Sequence, residues 1–370
     1  MKVLFVIGTR PEAIKLAPVV LECKQKKGIE ALVCSTGQHK ELLDSAFEQW
    51  CLVPDIELEV MQAGQGLNEL LSKLLSQLDM VLSDTKPDCV VVQGDTSSCL
   101  AGALASFQRE IPVYHVEAGL RTYDKSAPFP EELNRQMVSR IAHVHFAPTE
   151  KNKQALLREG ISDNDILVTG NTVIDALIMC QNKMTPESNP EIQKLQGIYD
   201  PQKKLLLVTG HRRENMGAGF LELIDALREL ASDPSLQIII PLHLNPAVRE
   251  PMIQALGKTE GIYLIEALGY EAFIWLMSKS FLIISDSGGV QEEAPSLNKP
   301  VLVLREQTER EEVVEAGTVR LIGTRKEAIV HGVQELIEDE DKYIKMTQKP
   351  NPYGDGMAAK RIVDFLASVQ

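Results

Sequence analysis

The sequence predicts an α/β protein made of two doubly wound parallel sheets, and three observations carry that reading. Short runs rich in Val, Ile and Leu fall at 3–7, 31–34, 89–93, 113–116 and 144–147, with longer amphipathic stretches between them. Apolar runs of that length, spaced by helical patterns, are how strands buried on both faces look. The rhythm stops over 182–201, where Pro, Asn, Lys and Glu replace apolar periodicity, and restarts at 205–208, 237–240, 263–265, 281–284 and 301–304. The chain also has 370 residues, too many for one ordinary core at roughly 100–200 residues per domain.

The first strand leaves through Gly8-Thr9-Arg10-Pro11-Glu12, where glycine permits a tight exit and proline suits the first turn of the next helix. After 167–168 a helix-like stretch covers 171–180, and 182–201 reads as a loop. The second half repeats the strand-helix alternation. The tail holds a breaker cluster, Asn351-Pro352-Tyr353-Gly354-Asp355-Gly356, and then an amphipathic helix over about 358–368. Expected domains are 1–169 and 170–352, with 353–370 as a closing segment.

Composition narrows the class. Hydrophobic residues make up 44% and charged residues 24%, as in soluble globular proteins, so disordered and collagen-like classes are excluded. A formal charge of −14 argues against an extended nucleic-acid surface, whose affinity comes from neutralising phosphates. No stretch approaches the roughly 20 apolar residues that span a bilayer, and the run at 3–7 is too short for a signal peptide. Cys23, Cys34, Cys51, Cys89, Cys99 and Cys180 are scattered, which suggests neither a zinc site nor a disulfide framework and fits a reducing cytoplasm.

Ligands of open parallel sheets sit at the carboxyl ends of strands. At the first exit, Arg10 and Lys15 either face a diphosphate or are solvated cations at a surface helix start. Asp95, in Gln93-Gly94-Asp95-Thr96, and Glu117, in His115-Val116-Glu117-Ala118-Gly119-Leu120-Arg121-Thr122, put a carboxylate at each of two neighbouring strand ends. Each alone reads as well as a helix cap; two together point to a site. Glu131, in Pro128-Phe129-Pro130-Glu131-Glu132-Leu133-Asn134-Arg135, is explained as readily by the helix dipole. His211, in Gly210-His211-Arg212-Arg213-Glu214-Asn215, is a proton donor, a phosphate ligand or a satisfied loop histidine. Pro241-Leu242-His243-Leu244-Asn245-Pro246 is a further polar exit. Ser285-Asp286-Ser287-Gly288-Gly289-Val290-Gln291-Glu292-Glu293 has small residues whose backbone N–H groups can approach a phosphate, and Thr308-Glu309-Arg310 follows the next strand. No Gly-x-Gly-x-x-Gly follows the first strand, so a dinucleotide site of the usual kind is unsupported.

Taken in order along the chain, these segments resemble the non-hydrolysing UDP-N-acetylglucosamine 2-epimerases. The resemblance implies two Rossmann-like domains with a cleft between them, as in the glycosyltransferase-B class, a last helix that crosses back to the first domain, and a homodimer. It implies a cytoplasmic enzyme that interconverts UDP-GlcNAc and UDP-ManNAc with neither added cofactor nor metal. It carries the catalytic group onto Asp95, Glu117, Glu131 and His211, and the UDP contacts onto Arg10, Phe273, Ser287, Gly289, Glu293 and Arg310, with Lys15, Arg212 and Gly288 in the matching motifs. Relatives that bind a second UDP-GlcNAc as activator use positions that match Gln38, Glu131, Arg212 and His243; Glu41 stands there for a glutamine and Gly64 for an arginine, so weakened effector binding is expected. Asn298 replaces the usual glycine before Lys299-Pro300, and Arg305-Glu306-Gln307 and Glu311 also depart from the commoner pattern.

The implied substrate constrains the chemistry. No carbonyl acidifies the hydrogen on C2 of the sugar, so either C3 is oxidised transiently or the bond to UDP breaks first. The family pattern is the second: UDP leaves to give 2-acetamidoglucal and adds back after a proton arrives on the opposite face. Two rival readings remain at this level: a glycosyltransferase of the same architecture, which needs an acceptor, and a catalytically silent UDP-sugar sensor.

Overall fold

In the computed structural model, which describes residues 1–38, 40–62, 64–210, 218–243 and 245–369, strands and helices alternate from the start. The first half carries β1 (Lys2–Ile7), α1 (Arg10–Gln25), β2 (Glu30–Ser35), α2 (Lys40–Gln49), β3 (Ile56–Glu57), α3 (Leu67–Thr85), β4 (Cys89–Gln93), α4 (Ser97–Gln108), β5 (Val113–Val116), α5 (Glu131–Ile141), β6 (Val144–Ala147), α6 (Glu150–Arg158), β7 (Ile166–Val168) and α7 (Thr172–Lys183). The second carries α8 (Pro190–Ile198), β8 (Lys204–Thr209), α9 (Ala218–Ala231), β9 (Leu236–Pro241), α10 (Pro246–Leu256), β10 (Ile262–Ile265), α11 (Tyr270–Lys279), β11 (Leu282–Ser285), α12 (Gly288–Glu293), β12 (Val301–Val303), α13 (Glu311–Ala316), β13 (Val319–Leu321), α14 (Lys326–Glu338) and α15 (Glu340–Thr347), before α16 (Ala358–Ser368).

Two parallel sheets result, ordered β3-β2-β1-β4-β5-β6-β7 and β10-β9-β8-β11-β12-β13. In each, the order reverses beside one strand: β1 pairs with both β2 and β4, and β8 with both β9 and β11. At such a reversal the loops leaving adjacent strands turn to opposite faces and open a crevice. The strands are held by burial on both sides. Leu4, Val6, Val90 and Val92 pack with Leu74, Leu78 and Val138, and Leu206, Val208, Ile284 and Leu302 with Leu227 and Ile329. Each such side chain contributes about 1.5–3 kcal/mol on burial.

The chain divides into two compact units, Met1–Met179 with Tyr353–Gln370, and Cys180–Pro352. The last helix therefore belongs to the first unit, as the resemblance implies. Asp175 of α7 accepts from the Ala358 and Ala359 amides at the start of α16, at 3.2 and 2.9 Å. Lys26 pairs with Asp364 at 2.7 Å, and the Phe365 ring stands edge-on to Tyr114 and Phe146.

The segment 182–201 is not all loop. It contains α8, started by the Asn189 side chain, which accepts from the Glu191 and Ile192 amides, and by Pro190 in the first turn. Only Ile192 and Leu195 of this helix are buried, too few to show a period, whereas its caps are plain in the sequence. All six cysteines are free thiols, with Cys51 alone exposed. Among the described residues, no helix is long and apolar enough to cross a membrane, and no group of three or more His, Cys, Asp and Glu is placed to hold a metal ion.

Candidate active site

The first strand exit is closed by Glu12. Its buried carboxylate accepts from the Gly8 amide at 2.9 Å, the Thr9 amide at 2.6 Å, the Thr9 hydroxyl at 2.9 Å and the Thr96 hydroxyl at 2.7 Å. Burial pushes its pKa up to about 7, against those bonds. Glu12 thus staples the loop after β1 to the loop after β4. Gly8 is required by space: a Cβ there would lie 2.1 Å from Ser98 Oγ. Ser98 also donates to Gln38 at 2.8 Å. Arg10 opens α1 from this turn, half-buried, and Lys15 follows on the same helix.

Lys15 reaches Glu117. Its ammonium lies 2.5 Å from Glu117 Oε1, and both side chains are nearly buried. Asn171 Nδ2 donates to the same oxygen at 3.1 Å, and Gln93 Nε2 donates to Oε2. The Glu117 backbone is left-handed, with φ of 64°, which costs a non-glycine residue on the order of 1–3 kcal/mol and clusters at functional sites. Breaking such a buried pair would leave an uncompensated charge, so its members hold one another in place.

Asp95 follows Gly94, itself at φ of 71°. Its Oδ2 lies 2.5 Å from Arg135 Nη2, and its backbone carbonyl accepts from Asn134 Nδ2 at 2.8 Å, so α5 grips it twice. Its pKa is raised: burial outweighs the attraction of Arg135, nearby Glu131 raises it further, and Lys15 opposes. Of two adjacent acids, Glu132 is fully buried and accepts from the Thr122 and Tyr123 amides at 3.0 and 3.1 Å and from Gln136 at 2.7 Å. Glu132 shapes the loop; Glu131 is the one whose charge reaches Asp95. Buried His115 bonds through Nε2 to the Gly94 carbonyl at 2.8 Å, and burial pushes its pKa down to about 4, so the ring is neutral and Nε2–H is the donor.

The second unit offers a different arrangement. After β11, Ser287 begins a turn whose amide donates to Ser285 Oγ at 3.0 Å. A Cβ on Gly288 would lie 2.4 Å from Arg310 Cζ, so the guanidinium lies directly against that backbone. Arg310 is fixed by Glu292 at 2.7 Å and Glu309 at 2.5 Å, and its amide donates to Thr308 Oγ1 at 3.2 Å. Thr308 in turn donates to Gln291 at 2.8 Å, and Arg305 holds Glu309 at 3.0 Å. Glu293 is buried and accepts from Tyr270 of α11 at 2.5 Å, which places α11, with half-buried Phe273, beside this turn.

The structure thus gathers Lys15, Asp95, Glu117 and Glu131 in the first unit, and Phe273, Ser287, Gly288, Gly289, Glu293 and Arg310 in the second. His243 is exposed, and its Nδ1 accepts from the Asn245 amide at 3.0 Å. His211 and Arg212 lie outside the described residues, as does the side chain of Glu41. Sequence reasoning missed Gln93, Asn171 and Arg135. The first and last stand inside motifs singled out for their acids; Asn171 follows Gly170 at the end of β7, a strand exit with no charge to draw the eye.

Comparison with known proteins places these residues in a family. Residues 21–367 match the sequence model of the UDP-N-acetylglucosamine 2-epimerase family. The UDP-N-acetylglucosamine 2-epimerase of Escherichia coli strain K12 is 50% identical over 369 residues, covering 99% of this chain and 98% of the relative. A crystal structure of the UDP-GlcNAc 2-epimerase of Neisseria meningitidis bound to UDP-GlcNAc superposes with a TM-score of 0.94 at 47% identity, covering 100% of both chains. That of the Methanocaldococcus jannaschii enzyme in complex with UDP-GlcNAc and UDP gives 0.83 at 36% identity, again over 100% of both.

Proposed function

The chain belongs to the UDP-N-acetylglucosamine 2-epimerase family, and we propose that it carries out the family's reaction by elimination and re-addition of UDP, with the first unit moving the proton and the second holding the diphosphate. The activity is the interconversion of UDP-GlcNAc and UDP-ManNAc without hydrolysis. A base takes the proton from C2, the electron pair forms the C1–C2 double bond, and the C1–O bond breaks with its electrons on UDP. The return puts a proton on the opposite face of C2 and restores the bond from UDP oxygen to C1. The sequence is redox-neutral.

Two faces call for groups on two sides. Asp95, Glu117 and Glu131 supply them as general acid and base. The observation that carries this is the pair of carboxylates at adjacent strand ends, with Glu117 fixed by Lys15, Gln93 and Asn171 and Asp95 gripped by Arg135. Negative charge gathers on the departing diphosphate, where Arg310 and the Ser287-Gly288-Gly289 backbone stabilise it, joined by Arg10, with Phe273 and Glu293 beside the nucleoside. His211 and Arg212 assist the leaving group. Leu67 and Met80 of α3, Phe107 of α4, and Leu133 and Met137 of α5 are exposed apolar side chains on neighbouring helices of the first unit, and a homodimer packed through these helices would cover such side chains.

Incubation with UDP-GlcNAc alone in D2O tests the reading by NMR. UDP-ManNAc should appear with deuterium at C2, with no acceptor and no net release of free sugar. Conversion without isotope at C2 would remove the elimination mechanism, and dependence on an acceptor would favour the glycosyltransferase. Analytical ultracentrifugation tests the dimer.

A further inference from the structure

We propose that Asn171 is a positioning residue for the reaction, tying the Glu117 carboxylate to the point where the chain leaves the first unit and returns to it. The inference rests on the reading of Glu117 as a proton-transfer group.

The crossing is built by two glycines. Gly170 on the outgoing segment has φ of +90° and Gly354 on the returning segment φ of +123°, values that L side chains rarely adopt. A Cβ on Gly170 would lie 3.2 Å from the Tyr353 carbonyl, and one on Gly354 3.2 Å from Gly170 Cα. The two backbones therefore touch with no side chain between them. Asn171 is fastened at this contact: its amide donates to the Tyr353 carbonyl at 2.7 Å, and Tyr353 is itself buried.

The Asn171 side chain, 2% exposed, works in two directions from there. Oδ1 accepts from the Val173 amide at 3.1 Å, starting α7, the helix that leads toward the second unit. Nδ2 donates to Glu117 Oε1 at 3.1 Å. A side-chain amide accepts through its oxygen and donates through its nitrogen, so one residue makes both bonds at once. Glu117's other holders, Lys15 and Gln93, come from α1 and β4. Asn171 alone among these three joins the carboxylate to the crossing, so the alignment of Glu117 with C2 depends on where the two segments pass. Catalytic groups must sit within a fraction of an ångström of their productive place, which makes one such bond consequential.

The plainer role is that Asn171 only caps α7. Two variants separate the roles. Asn171→Ser and Asn171→Asp both keep a good cap acceptor; the first offers only a shorter hydroxyl, which stops short of the Glu117 oxygen that Asn171 Nδ2 reaches at 3.1 Å, and the second loses the donor and adds a carboxylate facing Glu117. Positioning requires kcat to fall about tenfold in the serine variant and on the order of a hundredfold in the aspartate variant, with KM for UDP-GlcNAc, UDP affinity and the serine variant's melting temperature near wild type. In a Glu117→Gln background, Asn171→Asp should cost less than about threefold further, because the repulsion is gone. Wild-type kcat in both variants, a rise in KM at unchanged kcat, or the same hundredfold penalty without Glu117 would each overturn the proposal. Should the aspartate variant not fold, the neutral serine variant decides alone. The functional reading fails separately, if the wild-type enzyme itself does not convert UDP-GlcNAc.

Discussion

At the end of β5 a candidate catalytic carboxylate is fixed by what its neighbours' side chains donate, whereas at the end of β11 the candidate diphosphate turn is shaped by side chains that are missing. Glu117 has an ammonium and two amides on it, and Asp95 has a guanidinium. The turn at Gly288 has bare backbone, with Arg310 lying against it where a Cβ would go. The difference follows from the work proposed for each. Proton transfer needs titratable groups at defined angles, held by partners that tune and orient them. A diphosphate needs donors that come close, and close approach is best met by removing side chains.

If that division holds, substitutions in the two units should separate kcat from affinity. The largest effects belong to the first unit. Asp95→Asn, Glu117→Gln and Glu131→Gln should each lower kcat by about a hundredfold or more while UDP affinity, measured by calorimetry, stays near wild type. A near-normal rate in any of them removes that residue from the proton path.

In the second unit Arg310→Ala and Gly288→Ala should weaken UDP binding by roughly ten- to fiftyfold. Arg310 is held by Glu292 and Glu309, so the alanine methyl at 288 meets a guanidinium with little room to withdraw. Loss of kcat with intact UDP affinity in either variant would break the division.

How much of this was legible follows the same division. Strands such as β1 and β4 announce themselves because both faces are buried, so Val3 to Ile7 and Cys89 to Val92 are unbroken apolar runs. β3 is two residues long and β13 has Arg320 at its centre, and neither leaves such a run. At the site, charged residues at strand ends could be singled out, but not their partners. Residue type and local pattern do not separate Glu131 from Glu132; burial and three hydrogen bonds do. Asn171 was hidden because the role proposed for it lies in a crossing of segments 182 positions apart, from Asn171 to Tyr353.

The comparison extends to pH, with smaller effects. In the first unit His115 and His145 are buried on neighbouring strands, and burial pushes their pKa values down to about 4 and about 3. In the second, His243 and His331 are exposed. A histidine depressed by folding contributes stability above the unfolded value near 6.5, and that contribution is lost as pH falls toward the folded value. Asp175 has the opposite sign: burial raises it to about 6, so its contribution is present below the unfolded value of 3.8 and lost as pH rises through 6. The gap between melting temperatures at pH 7.5 and pH 5 should therefore narrow by a few degrees in His145→Gln and widen by a similar amount in Asp175→Asn. Shifts of the same sign in both would show that something other than these groups sets the slope.

The smallest expected effect contrasts two left-handed residues, one in each unit. Glu117 has φ of 64° and Asn298 φ of 56°, yet only the first is held by a ring of charged and polar partners. The described hydrogen bonds at Asn298 stay inside its turn: its amide donates to the Pro295 carbonyl at 3.1 Å, and the next amide, of Lys299, to Ala294 at 3.1 Å. The backbone conformation is therefore what this position demands, and asparagine meets it more cheaply than any residue but glycine. Asn298 thus forms a left-handed turn at the position where the resemblance implies a glycine. Asn298→Gly relieves strain in the folded state but gives the unfolded chain more freedom, so stability should move by no more than about half a kcal/mol. Asn298→Val, β-branched in the left-handed region, should cost about 1–2 kcal/mol. Both should keep kcat and UDP affinity within about twofold, whereas Glu117→Gln keeps the affinity and loses kcat. Thermal melts with steady-state kinetics check this. A tenfold loss of UDP affinity in Asn298→Gly would mean that this turn also sets the geometry of the Gly288 backbone, and that the second unit's site depends on side chains after all.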